Sequence, residues 1–195
     1  MSNNIPTSPF PHKTCKRWNI PGNYHYLTFS CFHRQPFLSG DHAPHWLAGA
    51  ITQARTEYHF RLIAYVFMPE HVHLLLWPES RLYKISDILT HIKQPVARTA
   101  RRHVEQNSPD FLERMTDLQP NGERAIRFWQ RGGGHDRNIY TAEELWEKIH
   151  TIHNNPVKHK LVSKPEDWIW SSAPDYAGER KGPLPVDNNN LPWTR

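Results

Sequence analysis

The stretch Met68-Pro69-Glu70-His71-Val72-His73-Leu74-Leu75-Leu76-Trp77-Pro78 decides the fold. It follows a β-branched and aromatic run at 60–68, and two such runs around a short turn with proline predict an antiparallel hairpin. Side chains alternate between the two faces of a strand, so both imidazoles emerge on one face, with their Cα atoms about 6.6 Å apart. Val72 and Leu74 are then expected to face the core.

Upstream and downstream of this hairpin, the hydrophobic pattern changes between strand and helix periods. Aromatic and polar residues alternate over 24–38 and predict a strand. Residues 42–58 and about 84–104 carry apolar residues at helical spacing and predict two amphipathic helices. Pro95 is expected to kink or restart the second helix, because proline removes a backbone hydrogen bond.

The C-terminal half carries weaker signals. Residues 106–122 are expected to form a loop, and 124–130 a short strand. A third helix is predicted over 142–154, where Thr141 and Glu144 form a capping box. The order strand, helix, hairpin, helix, strand, helix predicts an α+β fold, with helices packed on a mostly antiparallel sheet.

Composition bounds the class of protein. The chain has 195 residues and 37% hydrophobic residues, which suits one domain, and no apolar run approaches the roughly 20 residues of a membrane helix. Cys15 and Cys31 are too few for a disulfide framework, and no signal peptide is recognisable, so a cytoplasmic protein is expected. We expect a basic, proline-rich arm at 1–22, a domain at 23–177 and a Pro/Asn-rich tail at 178–195.

Charge favours a polyanionic partner such as DNA. Lys and Arg number 24 against 19 Asp and Glu, which gives a net charge of +5. Candidate phosphate contacts lie on the second helix and before the third: Lys93, Arg98, Arg101, Arg102, Arg127, Arg131 and Arg137. The flexible run 132–134 would let nucleic acid approach the backbone. The plainer alternative is a solvated basic surface, and for Trp168 and Trp170 we favour core packing over base stacking.

His71 and His73 are candidate metal ligands because two imidazoles on one strand face can converge on a cation. The spacing alone is weak, since 14 histidines give about one His-x-His by chance. The alternative is one buried histidine bonded to backbone and one exposed. Thr151 and Asn155 share a helix face, and Pro156 would aim the Asn155 amide away from the axis. Two imidazoles and an amide oxygen suit Mg²⁺ or Mn²⁺ holding a phosphate better than a closed zinc site.

Several sequence blocks, taken together and in order, carry a family resemblance. They are residues 68–76, Phe128-Trp129-Gln130, Asp136-Arg137-Asn138-Ile139, Asn155-Pro156-Val157, Pro165-Glu166-Asp167-Trp168 and Trp170-Ser171-Ser172. Over roughly 22–176 the chain resembles the REP-associated tyrosine transposases, a branch of the single-tyrosine HUH transposases. The resemblance implies a ferredoxin-like HUH domain that binds single-stranded DNA hairpins, as a monomer or a homodimer. It also implies His71, His73 and Asn155 as ligands of a divalent metal, and strand cleavage through a 5′-phosphotyrosine.

The expected tyrosine is absent. Thr151 stands at its position, four residues before Asn155, and His135 stands where the family motif has another tyrosine. A threonine hydroxyl lacks the reach and the acidity of a phenol. Tyr140, just ahead of the third helix, is a candidate substitute.

Three functional hypotheses follow. The first is an active DNA nickase and strand-transferase with an unconventional nucleophile, and the second is a catalytically silent DNA-hairpin-binding protein, which Thr151 favours. The third is a metal hydrolase that uses His71 and His73. It ranks last, because Glu70 is the only adjacent acid and strand alternation would point it away from His71.

Overall fold

The chain folds around a four-stranded antiparallel sheet. The structure is a computed structural model that describes residues 18–132, 134–179, 182–189 and 191. Its strands are β1 (Tyr24–Ser30), β2 (Phe60–Phe67), β3 (His71–Pro78), β4 (Thr116–Leu118), β5 (Arg124–Ile126) and β6 (His135–Ile139). Its α-helices are α1 (His42–Tyr58), α2 (Ile85–Asn107), α3 (Leu112–Met115), α4 (Ala142–His153), α5 (Asn155–Lys158) and α6 (Ala173–Ala177).

The main sheet has the strand order β2-β3-β1-β6, and each neighbouring pair is antiparallel. Helix α1 connects β1 to β2, and α2 lies between β3 and β6, which is the βαββαβ order of a ferredoxin-like fold. The predicted α+β class, with helices on an antiparallel sheet, is confirmed.

The two faces of the sheet are covered by different helices. One hydrophobic cluster joins Leu27 and Leu74 of the sheet to α1 and α2. A second cluster joins Leu75 and Ile139 to Leu145 and other apolar residues of α4. The pleat of β3 therefore turns Val72 and Leu74 towards α1 and α2, as predicted, and turns both histidines towards the α4 side.

The strand predicted over 124–130 forms in part, but it does not belong to the main sheet. The stretch 124–130 supplies only β5, which pairs with β4 outside the main sheet, and 106–122 contains α3 and β4 rather than a loop alone. The fourth strand of the main sheet is β6. Its face towards α1 and α2 carries the polar residues Asp136 and Asn138, so hydrophobic alternation does not reveal it.

Of the two outcomes expected at Pro95, a restart of α2 does not occur. The helix continues through Pro95 to Asn107. On both sides of the proline, Ile92 and Val96 are buried in the core. This burial outweighs the loss of one backbone hydrogen bond, since tertiary packing of an apolar stripe supplies most helix stability.

Both ends of the described chain contact the domain. The Asn19 side chain accepts a hydrogen bond from the backbone N–H of Ile85 at the start of α2 (3.1 Å). Near the other end, the Asp187 carboxylate accepts from Arg55 (2.6 Å) and from the N–H of Leu62 (2.9 Å). Lys13, Lys16 and Arg17 of the predicted basic arm lie outside the described residues, and the division into arm, domain and tail stays a prediction.

Two further expectations concern hydrophobic residues. The Trp168 indole donates to the carbonyl of Phe67 (2.9 Å), and Trp170 stacks against the Phe67 ring, so both tryptophans pack on the body of the domain. Within the described ranges, no helix has the length and apolar character needed to cross a membrane.

Candidate metal and DNA site

His71 and His73 meet on the α4 side of the sheet. Their Nε2 atoms lie 3.1 Å apart, and the two rings are almost perpendicular. Both side chains are buried, with 6% and 8% of the residue surface exposed. The alternative of one buried and one exposed histidine does not hold.

Each histidine has its other ring nitrogen occupied. The Nδ1–H of His71 donates to the Glu70 carboxylate (2.8 Å), because a carboxylate can only accept. The Nδ1 of His73 lies 2.9 Å from the Tyr26 hydroxyl and 2.8 Å from the Thr28 hydroxyl, either of which can accept its N–H. In these tautomers both Nε2 atoms keep their lone pairs for a ligand.

Sequence reasoning missed these supporting side chains. We expected Glu70 to point away from His71, but Glu70 precedes β3 and lies in the turn, so strand alternation does not apply to it. Tyr26 and Thr28 lie on β1 with a two-residue spacing, and Thr28 is paired directly with His73. That alternation in β1 was visible in the sequence, but its register against His73 was not.

Asn155 brings a third donor group to the histidines. Its side-chain nitrogen lies 3.0 Å from Nε2 of His73. Its buried side-chain oxygen has no hydrogen-bond partner within the described part of the chain. The oxygen and nitrogen of an amide are distinguished only by their hydrogen bonds. Only the oxygen of an amide ligates a cation, and turning the Asn155 amide over would place that oxygen 3.0 Å from Nε2 of His73.

Burial keeps both histidines in the neutral form. It lowers the pKa of His71, and it lowers the pKa of His73 to about 3, to which the neighbouring His71 and His159 contribute. Neutral imidazole is the form that binds metals.

The spacing of the donor atoms also fits a small divalent cation. Neighbouring ligands about 2.1 Å from an octahedral ion lie about 3.0 Å from each other, which matches the two separations above. Within the described ranges, no group of three or more His, Cys, Asp or Glu side chains could hold a metal ion.

Comparison with known proteins gives a matching family model. Residues 21–116, just under half of the chain, match the model described as "Transposase IS200 like". The chain is 25% identical over 123 residues to a protein named "Putative REP-associated tyrosine transposase" from Haemophilus influenzae. That match covers 63% of this chain and 64% of the relative, so the chain spans just under two thirds of the relative's length.

A solved structure shares the fold. It is the REP-associated tyrosine transposase bound to a REP hairpin, with a TM-score of 0.64 and 20% sequence identity. The similarity covers 92% of this chain and 95% of the other. The family resemblance expected from the sequence blocks is therefore confirmed.

Neither of the two residues expected as candidate nucleophiles has its hydroxyl bonded to the histidines in the described part of the chain. Thr151 is exposed on α4, and its hydroxyl donates to the carbonyl of Glu147 in its own helix (2.8 Å). Tyr140 is 60% exposed and directly precedes Thr141, the N-cap of α4. Its backbone N–H donates to the Glu144 carboxylate. In the described part of the chain, neither hydroxyl bonds to His71, His73 or Asn155.

Most of the cations expected to contact DNA are engaged within the chain. Arg101 pairs with Glu105, Arg127 with Asp117, and Arg137 with Glu144. Arg131 bonds to Gln119, and Lys93 reaches the carbonyl of Gly132. Arg98 and Arg102 are exposed on α2 and make no ion pair within the described ranges, but α2 covers the sheet face opposite the histidines.

In the glycine run before β6, Gly134 packs closely against the backbone of β1. A Cβ on Gly134 would lie 2.0 Å from the carbonyl oxygen of Thr28, and its φ of +69° also favours glycine. Gly133 lies outside the described residues. His135 follows, opposite Thr28 in the sheet, with its ring 6.5 Å from that of Tyr26. Gly134 therefore seats the start of β6 against β1 beside the candidate site.

Proposed function

We propose that this chain binds hairpin DNA with single-stranded segments, through a divalent cation held by His71, His73 and Asn155. One observation carries the proposal: two neutral, buried Nε2 atoms and an amide converge, and the amide oxygen has no partner in the described part of the chain. Mg²⁺ or Mn²⁺ bound there would polarise a DNA phosphate. The family, and the hairpin-bound relative with the same fold, support DNA as the partner. A DNA partner favours a cytoplasmic location for the protein.

We further propose that the chain as it stands binds DNA without forming a phosphotyrosine at normal rates. Thr151 occupies the nucleophile position, and its hydroxyl is short and already bonded to Glu147. An alkyl alcohol is also a poorer nucleophile precursor than a phenol, whose pKa is near 10. Binding needs only the ligands and their supports, which this chain retains.

Covalent capture of a labelled hairpin tests the proposal. Unmodified chain and Thr151→Tyr are incubated with a DNA stem-loop that has single-stranded flanks and Mn²⁺, then separated on a denaturing gel. In the variant, the phenol oxygen bonds to phosphorus while the phosphorus–O3′ bond breaks, and the phenol proton ends on the released 3′-hydroxyl. We expect an adduct with the variant and none with the unmodified chain, while both bind the hairpin.

A second variant separates the alternative nucleophile. An adduct formed by the unmodified chain and lost in Tyr140→Phe would assign the chemistry to Tyr140. Cleavage that is insensitive to Tyr140→Phe but lost in Thr151→Ala would show that the threonine is competent. Absence of any hairpin binding would overturn the proposed function itself.

A further inference from the structure

Two consecutive residues without glycine's freedom adopt left-handed backbone angles beside the candidate site. His33 has a φ of +50° and Arg34 a φ of +52°, in the turn that follows β1. Residues with a Cβ rarely adopt this region, and such conformations persist only where surrounding structure imposes them. Strained backbone of this kind concentrates at functional sites.

Hydrogen bonds from two distant segments hold this turn. The N–H of Cys31 donates to the carbonyl of Glu70 (2.9 Å), which joins the turn to the residue before His71. On the other side, the N–H of Phe32 donates to the carbonyl of Phe128 (2.9 Å). The N–H of His33 donates to the Gln130 side chain (3.0 Å). The strain is therefore imposed by the segment that leads into the histidine strand and by 128–130.

The result is an exposed arginine on the turn that is bonded to the residue before His71. The N–H of Arg34 donates to the carbonyl of Cys31 (3.1 Å), which places Arg34 one turn from the residue tied to Glu70. Within the described ranges Arg34 makes no ion pair, whereas Arg127 and Arg137 are both neutralised by carboxylates.

We propose that Arg34 binds a DNA phosphate adjacent to the one held at His71 and His73. The inference rests on the proposed function and adds a contact that the sequence blocks do not indicate. A guanidinium matches phosphate oxygens with two parallel N–H donors, and a phosphate contact positions DNA without reading its sequence. On this proposal, a single-stranded flank held at the histidines would also contact Arg34 on the adjoining turn.

The substitution Arg34→Gly tests the proposal, because it separates stability from binding. Glycine adopts a φ near +50° without steric cost, so the thermal midpoint should stay at or above that of the unmodified chain. Affinity for a stem-loop with oligothymidine flanks should fall about tenfold or more. The slope of log K against log salt should flatten by about 0.7.

Two controls match the backbone and the charge. His59→Gly replaces another exposed left-handed residue, at the end of α1, and should leave hairpin affinity unchanged. Arg81→Gln removes an exposed cation before α2 and should change affinity less than twofold. Unchanged affinity and salt slope in Arg34→Gly, with a chain that does bind the hairpin, would overturn the role of Arg34 alone. A chain that fails to bind the hairpin would overturn the proposed function and this inference together.

Discussion

Two buried histidine networks lie on opposite faces of the same sheet, and they differ in which atoms are satisfied. On the α1 and α2 face, Nδ1 of His25 bonds to Asp136 (2.9 Å) and Nε2 bonds to the Tyr83 hydroxyl (2.8 Å). The Tyr83 hydroxyl in turn donates to the carbonyl of Ile20. Both ring nitrogens of His25 thus have partners from the protein, and the network ties β1, β6 and the segment before α2 together.

On the α4 face, the Nδ1 atoms of His71 and His73 have hydrogen-bond partners, and their Nε2 atoms face each other. His71 and His73 use Nδ1 for Glu70, Tyr26 and Thr28, and their Nε2 atoms are left 3.1 Å apart beside the Asn155 amide. Residue type and burial are the same on both faces. What distinguishes the α4 face is that two Nε2 atoms converge with an amide whose oxygen has no hydrogen-bond partner within the described ranges, since buried polar groups otherwise find partners.

The largest expected effect concerns the hydrogen-bond network around His25 on the α1 and α2 face. Replacing His25 with Ala should lower the free energy of unfolding by about 3–5 kcal/mol, because breaking a fully buried pair strands the other member in the core. Urea denaturation measures this loss. A decrease below about 1 kcal/mol would show that water reaches Asp136, and the account of His25 and Asp136 as a fully buried pair would then be wrong.

Replacing His71 and His73 should reduce metal affinity and leave the fold intact. His71→Ala with His73→Ala should reduce Mn²⁺ affinity at least about a hundredfold, because two of the three donor groups are lost. Titration calorimetry measures the affinity, and far-ultraviolet circular dichroism should remain that of the unmodified chain. The matched control replaces the exposed pair His42 and His45 with Ala and should keep full affinity; equal affinity in the site variant would refute the metal role.

Removing the Glu70 carboxylate, which bonds to His71, should reduce Mn²⁺ affinity by a smaller factor. Glu70→Ala should weaken Mn²⁺ binding about tenfold, because loss of the partner that orients a ligating imidazole costs roughly 10–100-fold. Glu70→Gln keeps an acceptor for the Nδ1–H of His71 and should retain more affinity than Glu70→Ala. If both variants bind like the unmodified chain, the carboxylate only stabilises the turn.

Local patterns predicted the parts of the molecule that depend on neighbouring residues. The alternation in β3 placed both histidines on one face, whereas the position of Asn155 beside them was expected from the family resemblance. The strand β6 was missed because its inward Asp136 is compatible with burial only through His25, which lies 111 residues away in sequence. The same holds for the turn at Arg34, whose geometry depends on Gln130, 97 residues from His33.

Charged residues show the same limit. Helical spacing and clustering made Arg127 and Arg137 candidates for DNA contact, but ion pairs with Asp117 and Glu144 engage both. A count of basic residues records charge and does not record which charges remain available. Arg34 belongs to no such cluster, yet it is exposed on the turn that is bonded to the residue before His71.

The boundary between α4 and α5 has a consequence for substitutions at position 151. Helix α4 ends at His153, and Asn155 opens the separate short helix α5 after the intervening Asn154. Position 151 and the amide at 155 are therefore carried by different helices, although they are only four positions apart. Thr151 is exposed and bonds within α4, so a different side chain there need not move the amide beside His73.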